Sequence, residues 1–476
     1  MSHRSGRGVA DHAATTGVTG GRFARTSGQW CAVRLVSTGR AIRGRRCFKL
    51  RSLRPSPRSP AMNPSTISRR RFAATLTTGA AALALRTRAA DPTGPIASIE
   101  KVTLRRGRDG SGPTWFHPRA CIVPGRNGAR DTVLMTLQTI AGSDYFGPVN
   151  AMTSPDLGRT WTEPQPVPAL GRVPLAGGVE EGVCDVVPEW HERTRTVLAL
   201  GHTVNYRGPK FSSDQPPRWP IYAVWRDGKW GPRRKLEWTD PRGARIYSNG
   251  CGQRVVLPNG DLLISLTYGA TKEQPRSVTS VICAFDGETL TIRRSGSEIT
   301  HDKGRGLLEP SLTAWCHRFY LTLRAEDDRG YVCTSEDGLA WSPKQMWAWD
   351  DGEPLTLSTT QQHWLTHSDA LWLVYTRKDA SNVNVVRWRA PLWMAQVDPR
   401  TLRLLRASER VVLPLVGDGI KDPNRVAIMG NFHPLNVTPD ESWVTVGEWQ
   451  PKNGIHGDLL LARIRWTTPN SLIATR

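Results

Sequence analysis

Residues Ser154-Pro155-Asp156-Leu157-Gly158-Arg159-Thr160-Trp161 spell the pattern S-x-D-x-G-x-T-W. Each fixed residue has a place in a hairpin turn. The short carboxylate accepts backbone N–H groups, the glycine takes a conformation that other residues resist, and the tryptophan packs beneath. A version shortened by one residue and lacking the threonine, Ser335-Glu336-Asp337-Gly338-Leu339-Ala340-Trp341, begins 181 residues later. That interval is three units of about 60, a fitting length for a four-stranded blade with long loops.

Outward from these turns, helical periodicity is nearly absent over residues 100–466. Short β-rich runs recur instead: Val133–Thr139, Thr196–Gly201, Ile221–Trp225, Arg254–Leu257, Asp261–Thr267, Val278–Phe285, Phe319–Leu323, Ala370–Tyr375, Leu392–Val397, Ser442–Glu448 and Asp458–Trp466. Asp227-Gly228, Asn259-Gly260 and Asp286-Gly287 supply tight turns between them. The chain is all-β, and at the pitch of the two turn motifs residues 91–476 make a six-bladed β-propeller.

Charge divides the chain. The net charge is +22, but residues 1–90 hold 18 Lys+Arg and a single acid, Asp11, while residues 91–476 hold 46 bases and 41 acids. The basic excess belongs to a leader, so composition gives no case for a nucleic-acid partner. Ser68-Arg69-Arg70-Arg71-Phe72, then a mildly apolar stretch to Leu85 and small residues near Ala89-Ala90, fit a twin-arginine export signal over 62–90. An export signal opens a protein, so 1–61 is expected to be an upstream segment from a misassigned start, with no periodicity to support a core. The product is expected in the periplasm or outside the cell. No apolar run in the body approaches the ~20 residues of a membrane span.

Six cysteines fall in the body, at 121, 184, 251, 283, 316 and 333, with no C-x-x-C pair. They read mainly as buried strand thiols. There is no G-x-S-x-G elbow, H-E-x-x-H helix or phosphate loop, so neither an organic cofactor nor a catalytic metal is expected.

The motif at 154–161 is a full Asp box, and with the strand order it makes residues 100–466 resemble the sialidase superfamily of six-bladed propellers, often called BNR-repeat proteins. The resemblance implies a carboxylate-binding arginine triad, an acid/base Asp, and a Tyr nucleophile activated by a Glu. Phe116-His117-Pro118-Arg119 is similar to the family's opening R-I-P segment and marks Arg119 as the first arginine. Asp144, before the first Asp box, takes the acid/base place. Glu309-Pro310-Ser311-Leu312 and Leu321-Thr322-Leu323-Arg324 match the Glu strand and the second arginine. Arg377, Arg387 and Arg389 all qualify as the third, with Arg387 preferred. Glu448 resembles the late Glu that steadies the first arginine.

One departure is plain. Where the family has its nucleophilic tyrosine the chain reads Gly430-Asn431-Phe432-His433-Pro434, and Phe432 has no hydroxyl. His433 is then the candidate to activate water directly. Glu180-Glu181 with Asp185, and Gln361-Gln362-His363 with His367, His202 and His117, are further polar clusters. The expectation is a monomeric glycosidase acting on a terminal acidic sugar of a glycan. The alternatives are a propeller lectin without catalysis and a His/carboxylate carbohydrate enzyme on the same scaffold.

Overall fold

Residues 94–126 and 128–473 are described by a computed structural model; the expectations for 1–61 and 62–90 lie outside them. Six antiparallel sheets follow one another along the chain. The first is built on Trp115–Val123, Thr132–Gly142 and Asn150–Ser154, and the second on Val179–His191, Thr196–Arg207 and Pro220–Arg226. The third pairs Ile246–Ser248 and Val255–Val256 with Leu262–Gly269, then Ser277–Phe285 and Leu290–Ser295. The fourth runs from Leu308–Trp315 through Arg318–Arg324 to Gly330–Ser335, and the fifth from His363–His367 through Ala370–Tyr375 to Leu392–Asp398.

The sixth sheet closes the ring. Phe432–Thr438, Glu441–Gly447 and Leu459–Trp466 are joined by Ile96–Arg105, with Ile99 opposite Ile464 and Val102 opposite Leu461. The beginning and end of the described chain thus share one blade. Around the axis the innermost strands of the first and second, fourth and fifth, fifth and sixth, and sixth and first blades contact each other. This is a six-bladed β-propeller.

The core lies between blades, because each sheet is apolar on both faces. Trp443 is fully buried against Val133, Met135 and Leu137 of the first blade. Trp347, Trp364, Tyr320 and Tyr375 fill the joint between the fourth and fifth. All six described cysteines are free, and all but Cys316 are buried.

Both Asp boxes form the expected turns. Asp156 accepts hydrogen bonds from the backbone N–H of Arg159 (3.1 Å) and of Thr160 (2.8 Å) and from the Thr160 hydroxyl (2.7 Å). Gly158 has φ +79°, and a Cβ there would meet Trp443 Cη2 at 2.6 Å. Asp337 accepts from Leu339 N and Ala340 N, both at 2.8 Å. In the Asn259-Gly260 turn only the glycine has positive φ, whereas Asp227 and Gly228 both do.

Candidate functional site

Three innermost strands bulge where they reach one mouth of the central funnel. The register slips between Phe116 and Arg119, between Cys184 and Val187, and between Leu308 and Ser311. Within each slip one residue has a left-handed backbone: His117 (φ 51°), Asp185 (φ 56°) and Glu309 (φ 41°). Such conformations cost on the order of 1–3 kcal/mol each and are kept where a side chain has to be re-aimed. All three side chains line one cavity of about 590 Å³, as does Asp144 (φ 55°).

The cavity is cationic. Arg218, Arg245, Arg276, Arg305, Arg324, Arg387, Arg389 and Lys272 line it, against Asp144, Asp185, Glu309 and Glu326. Arg324 Nη1 donates to Glu309 Oε1 at 2.5 Å, while its Nε and Nη2 donate to Thr359 Oγ1 at 3.2 and 3.1 Å. Arg389 Nη2 donates to the carbonyl of the same Thr359 at 2.8 Å. One threonine therefore joins two guanidiniums. Burial, then the charges of Arg324 and Arg387, pull the Arg389 guanidinium down to about 9.

Beneath this layer Arg119 is completely buried and donates to Asp185 Oδ1 at 2.7 Å. Arg119 does not itself line the cavity, because the bulge presents His117 there instead. Asn431 Nδ2 donates to His117 Nε2 at 2.5 Å, and His117 Nδ1 faces Gln138 Oε1 at 3.4 Å, an arrangement that suits a neutral ring protonated on Nδ1. Burial brings the His117 and His202 imidazoles down to about 4.

Asp144, Glu309, Arg324 and Arg387 thus meet in one cavity, and Arg119, Glu448 and His433 lie outside its lining. Glu448 accepts from Arg108 Nε at 2.7 Å and from Asp458 N at 3.2 Å; its partners are these rather than Arg119. His433 lines a separate cavity with Arg254 and Glu189, its ring 5.3 Å from that of His363. Burial, Arg119 and Arg254 hold it well below the usual histidine range. Among the three arginines open at the sequence level, Arg377 is taken up by Glu409 and Asp379 at 2.7–2.9 Å, away from the cavity. Arg389 is the buried one, tied to Arg324; Arg387 is exposed.

Phe432 is fully buried, 5.5 Å from the His363 ring, and the residue at the cavity is its neighbour Asn431. Among the described residues no tyrosine lines the cavity. The remaining sequence clusters are structural. Glu181 pairs with Arg233, His367 Nε2 meets Thr468 O at 3.0 Å, Gln361 Nε2 donates to Phe432 O at 2.7 Å, and Gln362 Oε1 accepts from Thr322 at 2.7 Å. Cys184 Sγ, an Asp185 carboxylate oxygen and a His202 ring nitrogen lie within 4.8 Å of one another. That is metal-ligand spacing, but the Arg119 guanidinium already holds Asp185, and a cation there would face it at close range.

No family model matches the sequence, and no curated protein matches it. Solved structures do. The Trypanosoma rangeli sialidase in complex with the inhibitor DANA is 15% identical, with a TM-score of 0.52 over 77% of this chain and 60% of that one. A Hadza microbial sialidase is 12% identical, with a TM-score of 0.51 over 79% of this chain and 69% of that one. The fold is sialidase-like. The chain spans about three fifths of the length of the Trypanosoma rangeli chains that it matches.

On this sialidase-like propeller, Arg218, Arg245, Arg276 and Arg305 also line the cavity, and no sequence signal marks them. Each is a lone arginine in a polar loop with no motif around it. Asp185 was visible only as the partner of Glu180-Glu181, whose side chains leave in other directions to Arg172 and Arg233.

Proposed function

We propose that the chain is an exported, sialidase-like glycoside hydrolase that removes a terminal acidic sugar from a glycan. The observation that carries this is the pair Arg324 and Arg389 joined through Thr359 at the wall of an open cavity. Two guanidiniums with free donors can take a sugar carboxylate through charge-assisted hydrogen bonds. Asp144, exposed in the same cavity, gives its proton to the leaving glycosidic oxygen as the C–O bond breaks. A water forms the new bond at the anomeric carbon and passes its proton to Glu309. With no tyrosine in the lining, attack is by water rather than through a covalent adduct. Export rests on the Ser68–Phe72 motif, and among the described residues no helix is long and apolar enough to cross a membrane.

Turnover of a fluorogenic sialoside and a fluorogenic glucuronide by the full chain, Asp144→Asn, Glu309→Gln and Arg324→Gln tests this. Turnover of either substrate that falls at least about 100-fold in Asp144→Asn supports hydrolysis. The absence of tyrosine also favours a second reading, a carbohydrate-binding propeller without catalysis. Binding that depends on Arg324, with no turnover, decides for it. Neither binding nor turnover sinks both.

A further inference from the structure

We infer that the cavity has a second anionic subsite, formed by Arg218, Arg245, Arg276 and Arg305, and that its ligand is a glycan with a second acidic group next to the terminal acidic sugar. This rests on the carbohydrate reading above and narrows its substrate class.

Two short backbone ladders between consecutive blades build the subsite. Arg218 N donates to Arg245 O at 3.2 Å and Tyr247 N to Arg218 O at 3.1 Å, where the second blade meets the third. Arg276 N donates to Arg305 O at 2.8 Å and Leu307 N to Arg276 O at 2.9 Å, where the third meets the fourth. Arginines far apart in sequence are thereby set side by side in pairs, all four lining the cavity that also holds Arg324 and Arg389.

Their charges are poorly balanced. Arg305 is paired with Glu326 at 2.5 Å, and Arg245 has only Asp214 at 3.7 Å, a carboxylate whose side chain is 93% exposed. Among the described residues Arg218 and Arg276 have no carboxylate within ion-pair distance, and only the more distant Asp144 and Glu326 act on them. Burial and the neighbouring guanidiniums of Arg218 and Arg305 draw Arg276 down to about 10, and burial lowers Arg218 as well. Half-buried like charges with so little close counter-charge destabilise the protein. A sulfate or carboxylate seated among them removes that repulsion and receives several charge-assisted hydrogen bonds. A volume of about 590 Å³ falls within the roughly 300–1,000 Å³ of sites that enclose a small ligand, enough to hold more than one acid group.

The test is calorimetric titration of the full chain with 3′-sialyllactose (one acid), its 6-O-sulfated form (a sulfate added) and disialyllactose (a second carboxylate), at low and at high salt. We expect at least one doubly acidic probe to bind about tenfold or more tightly than the singly acidic one, with the advantage shrinking at high salt. The probe that gains identifies sulfate or carboxylate. In Arg218→Gln/Arg276→Gln the affinity ratio should fall toward one. Doubly acidic probes that bind the parent no more tightly than 3′-sialyllactose overturn the subsite and leave the carbohydrate reading intact. So does an advantage that survives in a folded double variant. If no probe binds at all, both fail.

Discussion

Arg119 Nη2 lies 2.7 Å from Asp185 Oδ1, with the guanidinium fully buried and the carboxylate at the cavity floor. The pair ties the first blade to the second beneath the site. Removing one member of a buried ion pair strands the other, at a cost of about 3–5 kcal/mol. Asp185→Asn is therefore expected to lower unfolding stability by that order in urea titrations. A loss under about 1 kcal/mol would show that Arg119 finds other compensation.

The histidines beside this pair set an acid limit. Burial lowers His117 and His202 to about 4, below the unfolded value of about 6.5. Their neutral form is favoured by folding, so stability is complete above about pH 6.5 and falls as the pH drops from there toward about 4. Each contributes a slope of about 1.4 kcal/mol per pH unit across that window. Asp185 acts further down. Burial raises its carboxyl, but His117 and Arg119 more than offset this and hold it at about 2, so its contribution is present above about pH 4 and lost as pH falls through about 2. His202→Gln should flatten the stability curve between pH 6.5 and 4; an unchanged slope would show that His202 is charged in the folded protein.

Two glycines in left-handed turns separate backbone strain from packing. Gly158→Ala adds a Cβ 2.6 Å from Trp443, whereas Gly228→Ala, at φ +84°, meets nothing within 4 Å. The first is expected to cost about 2–3 kcal/mol and the second about 1 kcal/mol, read from thermal unfolding. Equal losses would mean that the Trp443 ring yields freely.

A hydroxyl at 432 would be misplaced. Phe432→Tyr buries a phenol among Val446, Val444 and the His363 ring, costing about 1–3 kcal/mol, and should trap no fluorinated sialic-acid probe. Asn431→Tyr puts the phenol into the cavity instead. Mass spectrometry should find a probe adduct on residue 431 of that variant and none on the parent. An adduct at 432 in Phe432→Tyr would show that the core side of this strand reaches the substrate.

Export is tested in cells. With the native upstream sequence, Arg69→Lys/Arg70→Lys is expected to keep the protein in the cytoplasm, while the parent appears outside it in a form beginning near residue 91. Abundant tryptic peptides from residues 1–61 in the native protein would refute a start at Met62.

Fold legibility followed the strands that are apolar on both faces. Runs such as Ser277–Phe285, Ala370–Tyr375 and Leu459–Trp466 bury side chains between blades, so composition alone marks them. The innermost strands Trp115–Val123, Val179–His191, Leu308–Trp315, His363–His367 and Phe432–Thr438 do not read that way. They turn polar residues to the axis, and four of the five carry a proline, at 118, 188, 310 and 434, tolerated because that edge faces the funnel. Three of these strands bring His117, Asp185 and Glu309 to the cavity.

The all-β class, the Asp-box turns and their spacing, and the six-blade count were legible in the residues alone, since these depend on local turn chemistry and on periodicity. Glu309 and Arg324 stood out because their segments resemble known motifs, and Asp144 only by its place before the first Asp box. Folding alone fixes the rest: bulges send His117 and Asp185 into the cavity while Arg119 stays beneath it, Arg389 is tied to Arg324 through Thr359, Asn431 rather than Phe432 faces the cavity, and four unremarkable loop arginines stand together. The reason is physical. A one-residue slip in a strand reverses which side chain faces the axis, and pairing between blades joins residues that no local pattern connects.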